Sequence, residues 1–176
     1  MIYHYFSQPI YVSDFDSNLI ELDYTTSKKW ESNTISSYNN HNDLSKKSYD
    51  ILVKKLSEYT NKIISKKHKI KLLEIWANEY LEKDFQEQHM HPFCHFSFTI
   101  MHKIPKESGR LKFYNPYENL GFNHSNISFK YFNFVEEPKQ EENTIIIWPS
   151  YINHMVTPGN NKTKRITYSG NFEIIV

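Results

Sequence analysis

The sequence predicts a mainly β fold, a sandwich or jelly roll with one amphipathic helix laid against a sheet, over a single domain of residues 1–176. Two observations predict it. From about residue 70 onward, short runs rich in β-branched and aromatic residues recur, separated by turn-prone breaks such as "PKESG", "NPYENLG", "EEPKQEEN" and "TPGNNKTK". One stretch before them carries strong helical periodicity. Residues 1–70 therefore supply N-terminal strands, a loop and a supporting helix, and residues 71–176 form the β core.

Taken in order, the polar segment "SNTISSYNNHND" reads as a loop leading into the helix. Residues 44–66 place Tyr49, Leu52, Val53, Leu56, Tyr59, Ile63 and Ile64 at helical spacing, with lysines and Glu58 opposite, and Asn42, Asp43 or Ser45 can cap the start. The strands that follow are "IKLLEIWANEY", "HFSFTIMHKI", "RLKFYN", "ISFKYFNFV", "NTIIIWP", "HMVTP" and "RITYSGNFEIIV".

Composition excludes several function classes. With 21 basic and 20 acidic residues the net charge is +1, so neither a nucleic acid nor a polyanionic surface is an expected partner. The basic cluster "SKKHKIK" reads as a solvated helix end and strand start. The one cysteine, Cys94, cannot form an internal disulfide, and "MIYHYFSQPIYV" lacks the character of a signal peptide, so a cytoplasmic location is expected; frequent Asn, Lys, Ile and Tyr with a single alanine suggest an AT-rich coding sequence, as of a bacterium or a phage in its bacterial host. No apolar run approaches the roughly 20 residues that span a bilayer, so no membrane contact is expected. The sequons at Asn126 and Asn161 then never meet a glycosylation enzyme. Oligomeric state stays open, with a homodimer among the options.

The chemistry concentrates in "FQEQHMHPFCHF", which holds three of the nine histidines. An extended backbone turns residues i and i+2 to one side, so Glu87, His89 and His91 share a face, and Pro92 keeps His91 extended. Two imidazoles on one strand face can bind a divalent ion if a third ligand arrives from elsewhere. His154, after the corner in "WPSYINHMVTPG", is the best distant candidate. Eleven residues later Arg165 sits in an apolar alternating strand, where a guanidinium needs an anionic partner, and Thr167 shares its face.

These runs, with "SGRLKFYNP" between them and "LEIWANEY" before them, resemble the 2-oxoglutarate- and iron(II)-dependent oxygenases of bacteria and tailed phages over residues 73–172. The resemblance implies a double-stranded β-helix with iron(II) between two sheets, chelated by 2-oxoglutarate. It implies His89, His91 and His154 as metal ligands, Arg165 and Thr167 on the far carboxylate, and Trp76 and Asn78 on the opening strand, with Asn78 at the cofactor. His91 stands where the wider superfamily has a carboxylate, so Glu87 remains an alternative third ligand, with His91 preferred.

The function expected is hydroxylation of an amino-acid, peptidyl or small-metabolite C–H bond using O2. Two other readings stand beside it: a three-histidine cupin-type dioxygenase without 2-oxoglutarate, and a non-catalytic jelly-roll interaction module. Substrate choice would rest on loops at residues 28–43 and 115–128. His95 reads as a core or second-rank residue, His102 and His124 as surface histidines, and Cys94 as a small packing residue.

Overall fold

The computed structural model describes residues 8–29, 33–116 and 134–176. Its elements run β1 (Tyr11–Asp14), a short 3-10 turn at Ser17–Leu19, β2 (Leu22–Tyr24), β3 (Ser27–Lys29), β4 (Ile35–Ser36) and β5 (Asn42–Leu44). Then come α1 (Lys46–Ile63), β6 (Lys69–Tyr80), β7 (Gln86–His89), β8 (Phe96–Lys103) and β9 (Leu111–Tyr114). β10 (Val135–Glu136), β11 (Thr144–Pro149), β12 (His154–Val156) and β13 (Arg165–Ile175) complete the chain. Of the expected strand "ISFKYFNFV", residues 127–133 lie outside the described residues, as do His124, Asn126 and most of the 115–128 loop.

A large sheet has the order β1-β11-β8-β13-β6-β4-β3, and a smaller one the order β10-β9-β12-β7. β2 and β5 pair separately. β13 is the hub, antiparallel to β6 on one side and β8 on the other. Its side chains alternate between two cores. The outer face joins Ile75, Ala77, Phe98, Ile100, Ile145, Ile147, Tyr168 and Phe172 to Leu52, Leu56 and Tyr59 of the helix. Between the sheets, Met101, Ile146 and Trp148 meet Leu111, Phe113, Ile152 and Val156.

The helix forms where periodicity predicts, and Ser45 is its cap, accepting from the backbone N–H of Ser48. Asn42 and Asp43, the other cap candidates, lie instead in β5. Buried Ser48 ties the helix start to the preceding chain, donating to the Leu19 carbonyl at 2.9 Å and accepting from Glu21 N–H at 2.8 Å. The apolar stripe stops a turn early, since Ile63 is exposed.

The polar segment read as a loop contains β4, which pairs with β6 through Ile35↔Glu79 and Ser36↔Asn78. Its adhesion is polar. Thr34 donates to the Glu79 carbonyl, Ser36 to Asn78 Oδ1, and Ser37 Oγ accepts from Ala77 N–H. A strand docked by hydroxyls has no apolar alternation, which is why its composition resembles a loop.

Among the described residues no helix is long and apolar enough to cross a membrane. In β13, a Cβ on Gly170 would fall 2.5 Å from the Glu74 carbonyl oxygen and 2.5 Å from Phe98 Cζ. Neither the β6 backbone nor a fully buried ring can yield. Gly170→Ala should therefore lower stability by about 1–3 kcal/mol, the range for overpacking, read as a lower urea midpoint. An unchanged midpoint would show that the sheet opens freely at this point.

Candidate metal centre

The inner face of the large sheet is built in cross-strand rows, because residues paired directly across neighbouring strands point the same way. Asn171 stands between Glu74 and Ser97, Ser169 between Trp76 and Thr99, and Thr167 between Asn78 and Met101, with Arg165 opposite Tyr80. One cavity is lined by Trp76, Asn78, Tyr80, Thr99, Arg165, Thr167 and Ser169 from this sheet, by Trp148 of β11, and by Gln86, His89, His91 and His154.

His154 opens β12 and pairs with His89 across the small sheet. Between this pair and Val156↔Gln86, β7 carries one residue more than β12, a bulge. The bulge corrects the simple alternation expected of "EQHMH": Gln86 lines the cavity and Glu87 is exposed. His91 lies beyond the end of β7, its N–H donating to the Ser150 carbonyl at 3.0 Å. His95 is exposed and its Nδ1 accepts from Ile174 N–H, so it is neither core nor part of the site. His102 is half-buried, stacked on Tyr168 with Nδ1 3.1 Å from Ser17 Oγ. Cys94 is half-buried, as a packing residue would be.

One ligand-capable nitrogen from each of His89, His91 and His154 lies within 4.8 Å of the others, and Glu87 is not in the group. Their tautomers follow from their partners. His89 Nδ1 is 2.7 Å from the Glu87 carbonyl and His154 Nδ1 is 3.0 Å from the Ile152 carbonyl. A carbonyl only accepts, so both Nδ1 atoms carry the proton and both Nε2 atoms keep a lone pair. His91 Nδ1 donates to Asn171 Oδ1 at 2.8 Å, leaving its Nε2 3.3 Å from His89 Nε2.

Burial keeps these rings neutral. It pushes His89 below the ordinary histidine value and His154 well below it, with His89 and His91 adding repulsion at His154. His91 is lowered to about 4 by burial and then by His89. Two lone pairs 3.3 Å apart with no proton between them are stabilised by a cation, and neutral imidazole suits iron(II).

At another point of the cavity the need is opposite. Arg165 is 2% exposed, and neither its Nε nor its Nη1 has a hydrogen-bond partner among the described residues. Its guanidinium lies over the Tyr80 ring at 4.7 Å, and Nη2 lies 3.8 Å from Met101 Sδ. Burial pushes its pKa down, with Tyr80 opposing that shift. Arginine nevertheless stays charged. The cavity thus presents lone pairs suited to a cation at the histidines and, at Arg165, donors unpartnered among the described residues and suited to an anion.

The sequence reading assigned no role to Gln86, Thr99, Trp148, Ser169 or Asn171. The last two were within reach, since 165, 167, 169 and 171 share one strand face. Trp148 holds a further donor, its buried Nε1, without a partner among the described residues, and packs edge-on to His154 at 4.9 Å.

Residues 74–171 match a family model described as "Putative 2OG-Fe(II) oxygenase". Among solved structures, the chain is similar to a 2OG-Fe(II) oxygenase family oxidoreductase from Burkholderia pseudomallei, at 12% identity and TM-score 0.54, covering 94% of this chain and 73% of that one. It is also similar to the viral collagen prolyl hydroxylase of Paramecium Bursaria Chlorella virus-1 in its 2OG complex (13%, 0.54, 82% and 80%). A third is HygX from Streptomyces hygroscopicus with nickel, 2-oxoglutarate and hygromycin B bound (10%, 0.58, 94% and 83%). These likenesses show the fold, the double-stranded β-helix of such oxygenases. No curated protein matches the chain.

Two outcomes follow from the electrostatics. A buried charge without a partner costs stability that a well-packed apolar residue does not. Arg165→Met should therefore raise the stability of the ligand-free protein by about 1–4 kcal/mol, seen as a higher thermal midpoint; a lower midpoint would mean that the guanidinium is already satisfied. The depressed histidines work in the other direction. Their folded pKa values lie below the unfolded value of about 6.5, so the unfolded chain binds more protons as pH falls. Stability of the ligand-free protein should hold above about pH 6.5 and decline toward pH 4, where His91 titrates. His91→Gln should make the decline in denaturation midpoint shallower, and an unchanged slope would remove His91 from the cause.

Proposed function

Since the chain belongs to the 2OG-Fe(II) oxygenase family, whose cofactors are iron(II) and 2-oxoglutarate, we propose that it is a dioxygenase that hydroxylates a C–H bond. His89, His91 and His154 hold the metal through Nε2, and Glu87 takes no part. Arg165 grips the distal carboxylate of 2-oxoglutarate with Nε and Nη1, and Thr167 adds its hydroxyl. Asn78, whose Oδ1 already accepts from Ser36 and whose Nδ2 donates to Ser169 Oγ at 3.4 Å, offers its remaining amide N–H to the cofactor. When bound, iron(II), 2-oxoglutarate and O2 together supply the oxidising power, with 2-oxoglutarate decarboxylated to succinate and one oxygen atom delivered to substrate.

The protein's share is placement and dryness. Trp76 stacks on His91 at 5.7 Å and Trp148 stands edge-on to His154, so apolar rings wall off the imidazoles. Tyr80 fixes the guanidinium from below and is itself held by donating to Gln86 Oε1 at 3.1 Å. The substrate is an amino-acid, peptidyl or small-metabolite C–H bond. The observation that carries the reading is the buried guanidinium, with two nitrogens unpartnered among the described residues, in the same cavity as three neutral imidazoles.

Anaerobic titration with iron(II) and then 2-oxoglutarate should produce the weak visible charge-transfer band of the chelate. Arg165→Gln keeps hydrogen-bonding capacity but removes the charge, so it should weaken 2-oxoglutarate binding by about 2–5 kcal/mol while iron affinity barely changes. Unaltered 2-oxoglutarate affinity would sink the assignment and favour a three-histidine dioxygenase without the cosubstrate. His91→Ala should weaken iron binding and Glu87→Ala should not; the reverse pattern would restore the carboxylate as third ligand.

A further inference from the structure

The three histidines are not held alike. The Nδ1 protons of His89 and His154 are fixed by backbone carbonyls, which no side-chain rearrangement can turn around. His91 Nδ1 faces a side-chain amide, and an amide can present either its oxygen or its nitrogen. What fixes Asn171 therefore fixes His91.

Asn171 is 4% exposed and sits in the row between Glu74 and Ser97. Its Nδ2 donates to Glu74 Oε1 at 2.6 Å, and its Oδ1 accepts from Ser97 Oγ at 2.7 Å as well as from His91. Ser97 does not choose between the two orientations, because a hydroxyl can donate or accept. The Glu74 carboxylate does choose, since it only accepts. Flipping the amide would set Oδ1 against that carboxylate and turn Nδ2 toward His91 Nδ1. The imidazole would then have to move its proton to Nε2, the atom that faces His89.

We propose that Asn171 is a positioning residue for His91 and that Glu74, at the rim of the sheet, sets it. The carboxylate orients the amide, and the amide keeps the His91 proton on Nδ1 so that Nε2 presents a lone pair to the metal. The role toward metal rests on the ligand assignment proposed above; the coupling of carboxylate, amide and imidazole does not. In a site whose three ligands are all neutral, this chain also brings a negative charge to bear on one imidazole through two hydrogen bonds, strengthening it as a donor.

The test uses the full chain with 15N-labelled histidine. In the metal-free wild type, two-bond 15N–1H correlations should show His89, His91 and His154 all as the Nδ1–H tautomer. Glu74→Gln can still accept from Asn171 and should keep that pattern. Glu74→Lys replaces the acceptor by a donor at an exposed position, so it should turn the amide and convert His91 to the Nε2–H form. Asn171→Leu should leave His91 without a fixed tautomer. In both of these variants His89 and His154 serve as internal controls and should stay unchanged. Ni(II) affinity should fall by about tenfold to a hundredfold in Glu74→Lys and Asn171→Leu and by less in Glu74→Gln. A His91 tautomer that is the same in all four proteins would overturn the proposal, as would equal shifts at all three histidines, which would mark a general disturbance of the fold. A wild type that shows the expected tautomer pattern but takes up no Ni(II) would support the coupling and overturn instead the metal assignment of the site.

Discussion

The structure depends on the pleat of one strand. β13 runs through the centre of the large sheet, and its side chains from Arg165 to Phe172 alternate between two interiors. Tyr168 and Phe172 go to the apolar core beneath the helix, while Arg165, Thr167 and Ser169 line the cavity and Asn171 continues the same face. β6 and β8 obey the same alternation in register, so around β13 the sheet is apolar on the helix side and carries the polar cavity wall, beside the second core, on the other. A slip of one residue would exchange the two sets, placing a guanidinium under the helix and aromatic rings against the histidines. Burial of the outer face is thus what holds the polar face in position.

Within the cavity, each strand end serves a different electrostatic purpose. The corner at β7 and β12 gathers lone pairs, and the start of β13 delivers a positive charge. Neither is at rest alone: the imidazoles are neutral because burial makes them so, and Arg165 remains charged despite burial. A fold optimised for stability alone would fill this space with apolar side chains. Keeping it polar and incompletely satisfied is the mark of a binding site, where the missing partners come from outside the chain.

The sequence disclosed most of this where side-chain chemistry and local period coincide. β6, β8, β9, β11, β12 and β13 were legible because each alternates or runs apolar at strand length, and the helix because Leu52, Leu56 and Tyr59 fall at helical spacing. Four landmarks of the site were legible for a different reason: a histidine or buried-looking arginine in an apolar strand has few bland explanations. β4 was hidden because hydroxyls, not apolar contacts, hold it. The bulge in β7 was hidden because one extra residue leaves no trace in composition, and so Glu87 was placed on the wrong face. Asn171 was legible as a residue on the Arg165 face, but its role was hidden because its partners, Glu74, Ser97 and His91, are distant in sequence and meet only once the sheet forms.

The carbonyls of Glu87 and Ile152 that fix two imidazole tautomers have a consequence for how such a site drifts over time. A main-chain oxygen is supplied by any amino acid, so these two orienting contacts persist through substitution at either position as long as the bulge and the corner keep their shape. Selection acting on them is invisible in the identity of the residues that make them. The third contact is encoded in a side chain and is fully exposed to point mutation. Two of the three imidazole orientations are therefore inherited with the backbone, and one is inherited letter by letter.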